Sequence, residues 1–249
     1  MITIKNAEQI EKMNLAGTIL RKALMAAGEA AQPGATTKEL DEIVRKTIEA
    51  EKARPSFKGY MGFPGNSCIS INEAVVHGIP SGRTLEEGDL VSIDVGVEKD
   101  GWMADSAATF SVGKISEESA RLMDVTLKSL EKGIEHCVPG RHLSDISNAI
   151  QVYVEANGFS VVRDLVGHGI GKELHEEPQI PNFGPPGRGP VLKPGMVFAI
   201  EPMVNAGSER VITLEDDWTV VTADGKLSAH FEHTVAVTEQ GPRILTLQN

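Results

Sequence analysis

The chain repeats itself. PGATTKELDEIVRKTIEAEK, beginning at Pro33, aligns without a gap on PGRHLSDISNAIQVYVEANG, beginning at Pro139, an offset of 106 residues. Leu40 then falls over Ile146, Val44 over Ile150, Ile48 over Val154 and Glu49 over Glu155. Apolar residues four apart mark one stripe of a helix. Both segments therefore read as amphipathic helices with a Pro-Gly lead-in, the first opened by a capping box from Thr36 to Glu39. Each follows another helical pattern. Further on, GDLVSIDVGV from Gly88 matches GMVFAIEPMV from Gly195 at an offset of 107, which places Asp94 over Glu201. Amphipathic helices often resemble one another by chance, but carboxylates recurring at nearly the same offset add weight. A twofold repeat of helix, helix and strands predicts an α+β domain whose halves face each other across a cleft.

The first of those carboxylates lies in a predicted hairpin. Leu90 to Val97 and Trp102 to Phe110 are β-type runs flanking a turn signal at Lys99, Asp100 and Gly101. Each arm carries an aspartate, Asp94 and Asp105. With Lys99 and Asp100 central in the turn, the two lie directly opposite; with Asp100 and Gly101 central, they become diagonal neighbours. In either register they share a face, with Cβ atoms roughly 4.5 to 8 Å apart. Buried carboxylates without partners are costly. Two on the wet face of a ribbon would need no further account, so the remaining polar residues decide.

Those residues cluster in glycine-rich or alternating settings. His77 ends the apolar run VVHGIP. In DLVGHGIGKELHEEP, His168 lies between Gly167 and Gly169 with Gly171 following, so the backbone there can approach a ligand closely. His175 comes seven residues later. HEEPQ is no zinc-protease helix, since it has no second histidine and a proline interrupts it. Pro202 directly after Glu201 marks a strand end, edge or bulge. In AHFEHTVAVT the alternation puts His230, Glu232 and Thr234 on one face and Phe231 and His233 on the other. Glu232 is thus a carboxylate from another segment.

Other chemistries are excluded or unsupported. The chain has 24 Lys and Arg against 35 Asp and Glu, a net charge of −11, and no basic cluster, which argues against nucleic acid as a partner. The opening MITIKNAEQIEKM has neither the apolar core of a signal peptide nor a membrane-spanning run, so a cytoplasmic protein without membrane contact is expected. Cys68 and Cys137 fit neither a disulfide framework nor a zinc knuckle. There is no GxSxG elbow and no phosphate-binding loop of the GxxxxGK type. PNFGPPGRGP reads as a turn-rich connection. Metal-assisted hydrolysis is the best fit.

With Asp94, Asp105, His168, Glu201 and Glu232 collected, the sequence resembles the type I methionine aminopeptidases over essentially its whole length. The resemblance is carried by SINEAVVHGIP, SIDVGVEKDGWMADSAATF, VGHGIGKELHEEPQIPNFG, LKPGMVFAIEPMVNAG and AHFEHTVAVT. It implies the pita-bread fold, two pseudo-symmetric halves with antiparallel sheet inside and helices outside, as a single catalytic domain over residues 1–249. It further implies two divalent ions, one held by Asp94, Asp105 and Glu232, the other by Asp105, His168, Glu201 and Glu232. The oxygen-rich set with one imidazole suits cobalt, manganese, iron(II) or zinc without choosing among them. By the same resemblance, a hydroxide bridging the metals attacks the peptide carbonyl and Glu201 carries the proton. His175 bonds the carbonyl oxygen, and His77 contacts the substrate near the scissile amide. Tyr60, Phe63, Cys68 and Trp218 would line the methionine slot, with Phe57 and Leu174 at variable positions. The implied substrates are the N-termini of nascent polypeptides whose second residue is small, met at the ribosome or free, by a monomer of the short bacterial form. Two alternatives share the fold: a proline-specific aminopeptidase and a binding protein that has lost catalysis.

Overall fold

The computed structural model describes residues 1–247. Four helices carry the repeat. Helix α1 spans Ala7–Ala30, α2 Thr37–Ala50, α3 Glu117–Glu135 and α4 Leu143–Ala156. Both ends of α4 lie 106 residues after those of α2. Thr36 caps α2, its hydroxyl accepting from Glu39 N while Glu39 accepts in return from Thr36 N. At the start of α4, Asp145 takes the backbone N–H of His142 in the same way, at 3.0 Å. The lead-in glycines Gly34 and Gly140 both have positive φ, 94° and 85°, as do the strand-leading Gly88 and Gly195, at 99° and 91°. Glycine alone enters that region without strain. The duplication is therefore written in the backbone as well as in the side chains.

The aligned apolar residues are the buried ones. Leu40, Val44 and Ile48 seal one core with α1 and the strand Leu90–Lys99, while Ile146, Ile150 and Val154 seal a second with α3 and the strands Val197–Ile200 and His233–Thr238. All six are 0% exposed. Each half thus buries its own helix pair against its own sheet.

In the first half, Leu90–Lys99 pairs antiparallel with Trp102–Ser111 along its whole length and with Cys68–Ile71 and Arg54–Pro55 on its other side. The register runs from Leu90 opposite Ser111 to Lys99 opposite Trp102, leaving Asp100 and Gly101 as the two-residue loop. Both have positive φ, 52° and 77°. That is the turn whose twist matches an antiparallel pair. Of the two registers left open, the structure takes the diagonal one: Asp94 faces Ala107 and Asp105 faces Gly96.

In the second half, five antiparallel strands run in the spatial order Gly241–Ile244, His233–Thr238, Val197–Ile200, Gly167–Gly169, Glu176–Ile180. HEEPQ accordingly ends as a strand. Two smaller sheets of three strands complete the structure, one of them joining Ala74–Val76 to the hairpin Val211–Thr213 and Val220–Thr222.

Beside the site, a row of side-chain hydrogen bonds stitches the halves together. Thr234 Oγ1 accepts from Asp105 N at 2.9 Å and donates to Asp105 O at 2.7 Å. Glu232 N donates to Ala107 O at 2.9 Å, and Ser106 Oγ to Glu232 O at 2.6 Å. Thr109 Oγ1 closes the row against both backbone groups of His230, at 2.9 Å each. These hydroxyls are buried, so a seam of apolar residues could not satisfy the facing backbone groups. Asp105 and Glu232 are brought together by it.

Candidate active site

Beside that row of hydrogen bonds, Asp94, Asp105, His168, Glu201 and Glu232 converge on one pocket of about 170 Å³. Five chain segments supply them. Asp94 and Asp105 come from the two arms of the hairpin, and His168 from the centre of the short strand Gly167–Gly169. Glu201 follows directly on Val197–Ile200, which stops where Pro202 has no N–H to offer. Glu232 sits in the break between Ser228–His230 and His233–Thr238. The alternation expected for that run survives the break. His230, Glu232 and Thr234 point toward the site, while His233 lies outside the pocket, its Nδ1 2.8 Å from Thr246 Oγ1 and 3.4 Å from Ser106 Oγ.

Donor atoms of Asp105, His168 and Glu232 all lie within 4.8 Å of one another. His168 Nε2 stands 3.5 Å from Glu201 Oε1 and 4.0 Å from Asp105 Oδ2. Its Nδ1 is 2.9 Å from Gly169 O. A carbonyl only accepts, so Nδ1 carries the proton and Nε2 turns its lone pair into the site. Burial, aided by neighbouring His175, lowers the ring's pKa to about 3, so it stays neutral.

The carboxylates are under opposite strain. Burial raises the Asp94 pKa to about 7. Burial, and then the charges of Asp94 and Glu201, raise Asp105 well above the carboxylate range. Glu201 and Glu232 rise for the same two reasons. Asp94 Oδ1, Asp105 Oδ1 and Glu232 Oε1 are sealed from solvent, with no hydrogen-bond partner among the described residues. Four clustered acids, three of them with an unpaired oxygen, and one imidazole lone pair among them are a donor set for divalent cations. The residues fit the group.

The remaining pocket wall holds Phe57, Tyr60, Phe63, Cys68, His77, Leu174, His175 and Trp218, so every residue expected at the site lines it. Trp218 meets Phe63 edge-on at 5.1 Å and His77 at 6.4 Å. Cys68 is opposite Asp94 in the strand register, and burial, followed by four surrounding carboxylates, pushes its thiol well up. It is an apolar wall, not a thiolate. His77 has φ of 59°, an uncommon conformation that aims its ring from the end of Ala74–Val76. Tyr60 Oη is 2.7 Å from His175 Nδ1, and the His175 and His168 rings are 4.2 Å apart.

The pattern of metallopeptidase family M24 matches residues 11–239. The chain belongs to that family. A Clostridium perfringens (strain 13 / Type A) methionine aminopeptidase is 58% identical over 247 residues, 99% of each chain. The crystal structure of a methionine aminopeptidase from Thermotoga maritima superposes with a TM-score of 0.98 at 47% identity, each chain fully covered. A prolidase from Pyrococcus furiosus also superposes, with a TM-score of 0.80 at 27% identity, but this chain covers only 66% of it. The fold is the pita-bread fold shared by these M24 relatives. Membership in a metallopeptidase family agrees with the donor set.

One reading of the glycines is corrected. Gly167, Gly169 and Gly171 make room for the protein itself, not for a ligand. A Cβ would stand 2.4 Å from Ala199 O at Gly167 and 2.2 Å from Glu177 O at Gly169, and at Gly171 it would meet Glu176 Oε1 at 2.5 Å. Met61, also in the pocket wall, was not singled out from the sequence. Its positive φ of 49° in GYMGF keeps it 82% exposed at the mouth. The glycines at Gly59 and Gly62 were the available signal. His230, on the correct face but without an assigned role, is buried with Nε2 3.9 Å from Glu201 Oε2.

Proposed function

We propose that this chain is a methionyl aminopeptidase, a metal-dependent hydrolase that removes the N-terminal methionine from polypeptides whose second residue is small. The observation carrying it is the union of a cation donor set with an apolar, aromatic slot in one pocket. Two ions would be held, one by Asp94, Asp105 and Glu232, the other by Asp105, His168, Glu201 and Glu232, with cobalt, manganese, iron(II) and zinc all compatible. Bound there, the cations supply a water acidified to near neutrality and a Lewis acid for the carbonyl.

The side chains do the rest. Glu201 holds the proton released at the attacking oxygen and passes it toward the leaving amine. With the Tyr60 hydroxyl donating to Nδ1, His175 presents Nε2–H to the carbonyl oxygen as charge develops on it. His77 contacts the substrate beside the scissile amide. Phe63, Trp218 and Cys68 pack the thioether, which favours ring edges, and exclude water from it. The substrates are nascent polypeptide N-termini in the cytoplasm, at the ribosome or free of it, and the enzyme acts as a monomer. Among the described residues no helix is long and apolar enough to cross a membrane.

The test is a peptide panel, Met-Gly-X, Met-Leu-X, Leu-Gly-X and Gly-Pro-X, given to manganese- or cobalt-loaded protein and read by mass spectrometry. Methionine should be released rapidly before Gly, Ala or Ser, with little or none before Leu, Lys or Glu. Preferential cleavage of Gly-Pro-X would move the assignment to proline-specific peptidases. No cleavage with any metal would mean a binding protein.

A further inference from the structure

The turn that carries His175 has little regular structure of its own. Pairing between Gly167–Gly169 and Glu176–Ile180 jumps from His168 opposite Gln179 to Gly169 opposite Glu176, leaving residues 170–175 outside the ladder. His175 itself is exposed at the pocket mouth. Its place therefore depends on what anchors the two ends of that turn.

The anchor at the far end is the Glu176 carboxylate. It accepts from Lys172 N at 2.9 Å and Glu173 N at 3.4 Å, closing the turn back on itself. Its other oxygen takes the Thr3 hydroxyl and Lys5 Nζ, the latter at 2.8 Å. The Lys5 and Glu176 side chains are 4% and 12% exposed, so this is a buried ion pair. Gly171 is what lets the pair in, since a Cβ there would lie 2.6 Å from Lys5 Cε. The same glycine's carbonyl accepts from Met103 N at 2.8 Å, two residues before Asp105. On the other side, Lys5 N donates to Gly195 O at 2.7 Å, two residues before the strand Val197–Ile200 that Glu201 follows.

Buried ion pairs contribute little net stability, because desolvation offsets the attraction, and their best-attested use is to specify geometry. Here the geometry specified is that of the turn. We propose that residues 3–5 are a positioning strap for His175: Thr3 and Lys5 grip Glu176 and thereby hold the neighbouring imidazole at the Tyr60 hydroxyl and over the pocket. Lys5 touches neither substrate nor reacting atoms. The catalytic consequence rests on the role given to His175 above; the placement of the ring does not.

The test combines kinetics on metal-loaded protein with ring NMR on the zinc-loaded form, zinc being diamagnetic. In Lys5→Met, kcat on a Met-Gly peptide should fall roughly 10- to 100-fold, the range expected when a reacting contact is misplaced by about an ångström. KM should stay within about twofold, because ground-state binding is untouched. In a His175→Ala background the same substitution should cost nothing further, since a strap acting through His175 has nothing left to position. The His175 ring resonances should shift or broaden while those of His233, beside Thr246 outside the pocket, stay in place. Full kcat in Lys5→Met, an equal loss in both backgrounds, or unmoved His175 resonances would each overturn the proposal. Should Lys5→Met not fold, Glu176→Gln, whose amide oxygen still accepts from Lys172 and Glu173, carries the same comparisons. If the wild-type protein hydrolyses no peptide, the functional reading falls and the ring resonances still decide the strap.

Discussion

In protein stripped of divalent ions, Asp94→Asn should stabilise the fold, and increasingly so as pH rises. Burial raises the Asp94 pKa from 3.8 to about 7. Below the unfolded value the carboxyl is protonated in both states and contributes nothing. Between the two values only the folded state holds the proton. The penalty therefore grows with pH and is fully developed above the folded pKa. About three pH units at about 1.4 kcal/mol each give about 4 kcal/mol. Asparagine has the same shape and no charge to desolvate, so its advantage over wild type should rise from nearly nothing around pH 4 to about 4 kcal/mol by pH 8. The buried imidazoles of His168 and His230, at about 3, and His233, at about 4, work in the opposite sense. Their stability is complete above the unfolded value of 6.5 and is lost as pH falls, but both proteins share them and the difference removes them. Urea unfolding of EDTA-treated wild type and Asp94→Asn at pH 5, 6, 7 and 8, repeated with saturating manganese, reads the effect. With manganese the order should reverse, because the cation now pairs with the charge that was orphaned. A metal-free mutant less stable than wild type at pH 8, or a difference that does not grow with pH, would refute the account of this cluster as acids awaiting cations.

Tyr60→Phe should lower kcat by about 3- to 10-fold with intact folding, as one hydrogen bond to His175 Nδ1 is lost; steady-state kinetics giving wild-type kcat would remove Tyr60 from that role. Gly167→Ala places a Cβ 2.4 Å from Ala199 O and should cost about 1 to 3 kcal/mol or more in urea unfolding, since strand backbone cannot move aside cheaply. Thr36→Ala should cost about 1 kcal/mol through the lost cap of α2 and leave kcat unchanged, the cap being remote from the pocket; a matching loss of activity would show that the helix end and the site are coupled.

The duplicated frame and the candidate acids could be read from residue order, while the cation chemistry rested on the resemblance to the methionine aminopeptidases. Helix stripes and Pro-Gly lead-ins are local, and the α2 and α4 ends duplicate to the residue, with a positive-φ residue after each cap, Lys52 in one half and Gly158 in the other. The acids were legible for a different reason: the hairpin aspartates alone would suit a wet face, but Asp94 and Asp105 together with Glu201 and Glu232 from other segments have few structural uses as a set. The pocket wall was less legible from residues alone, since Tyr60, Phe63 and Trp218 would look the same in an ordinary core, and Met61 differs from a core methionine only by a backbone angle.

What only the tertiary structure decided concerns which distant groups meet. Two hairpin registers were left open by the residues, and the structure takes the diagonal one, with Asp100 and Gly101 both at positive φ. The glycines around His168 could have served a ligand; packing gives their space to Ala199, Glu177 and the Lys5–Glu176 pair. Lys5 carried no signal, because a lysine near a chain start is ordinarily solvated. Local pattern is set by forces between neighbours in the chain and survives in the sequence. Desolvation and ion pairing across 171 residues, as between Lys5 and Glu176, arise only once the fold has brought the groups together.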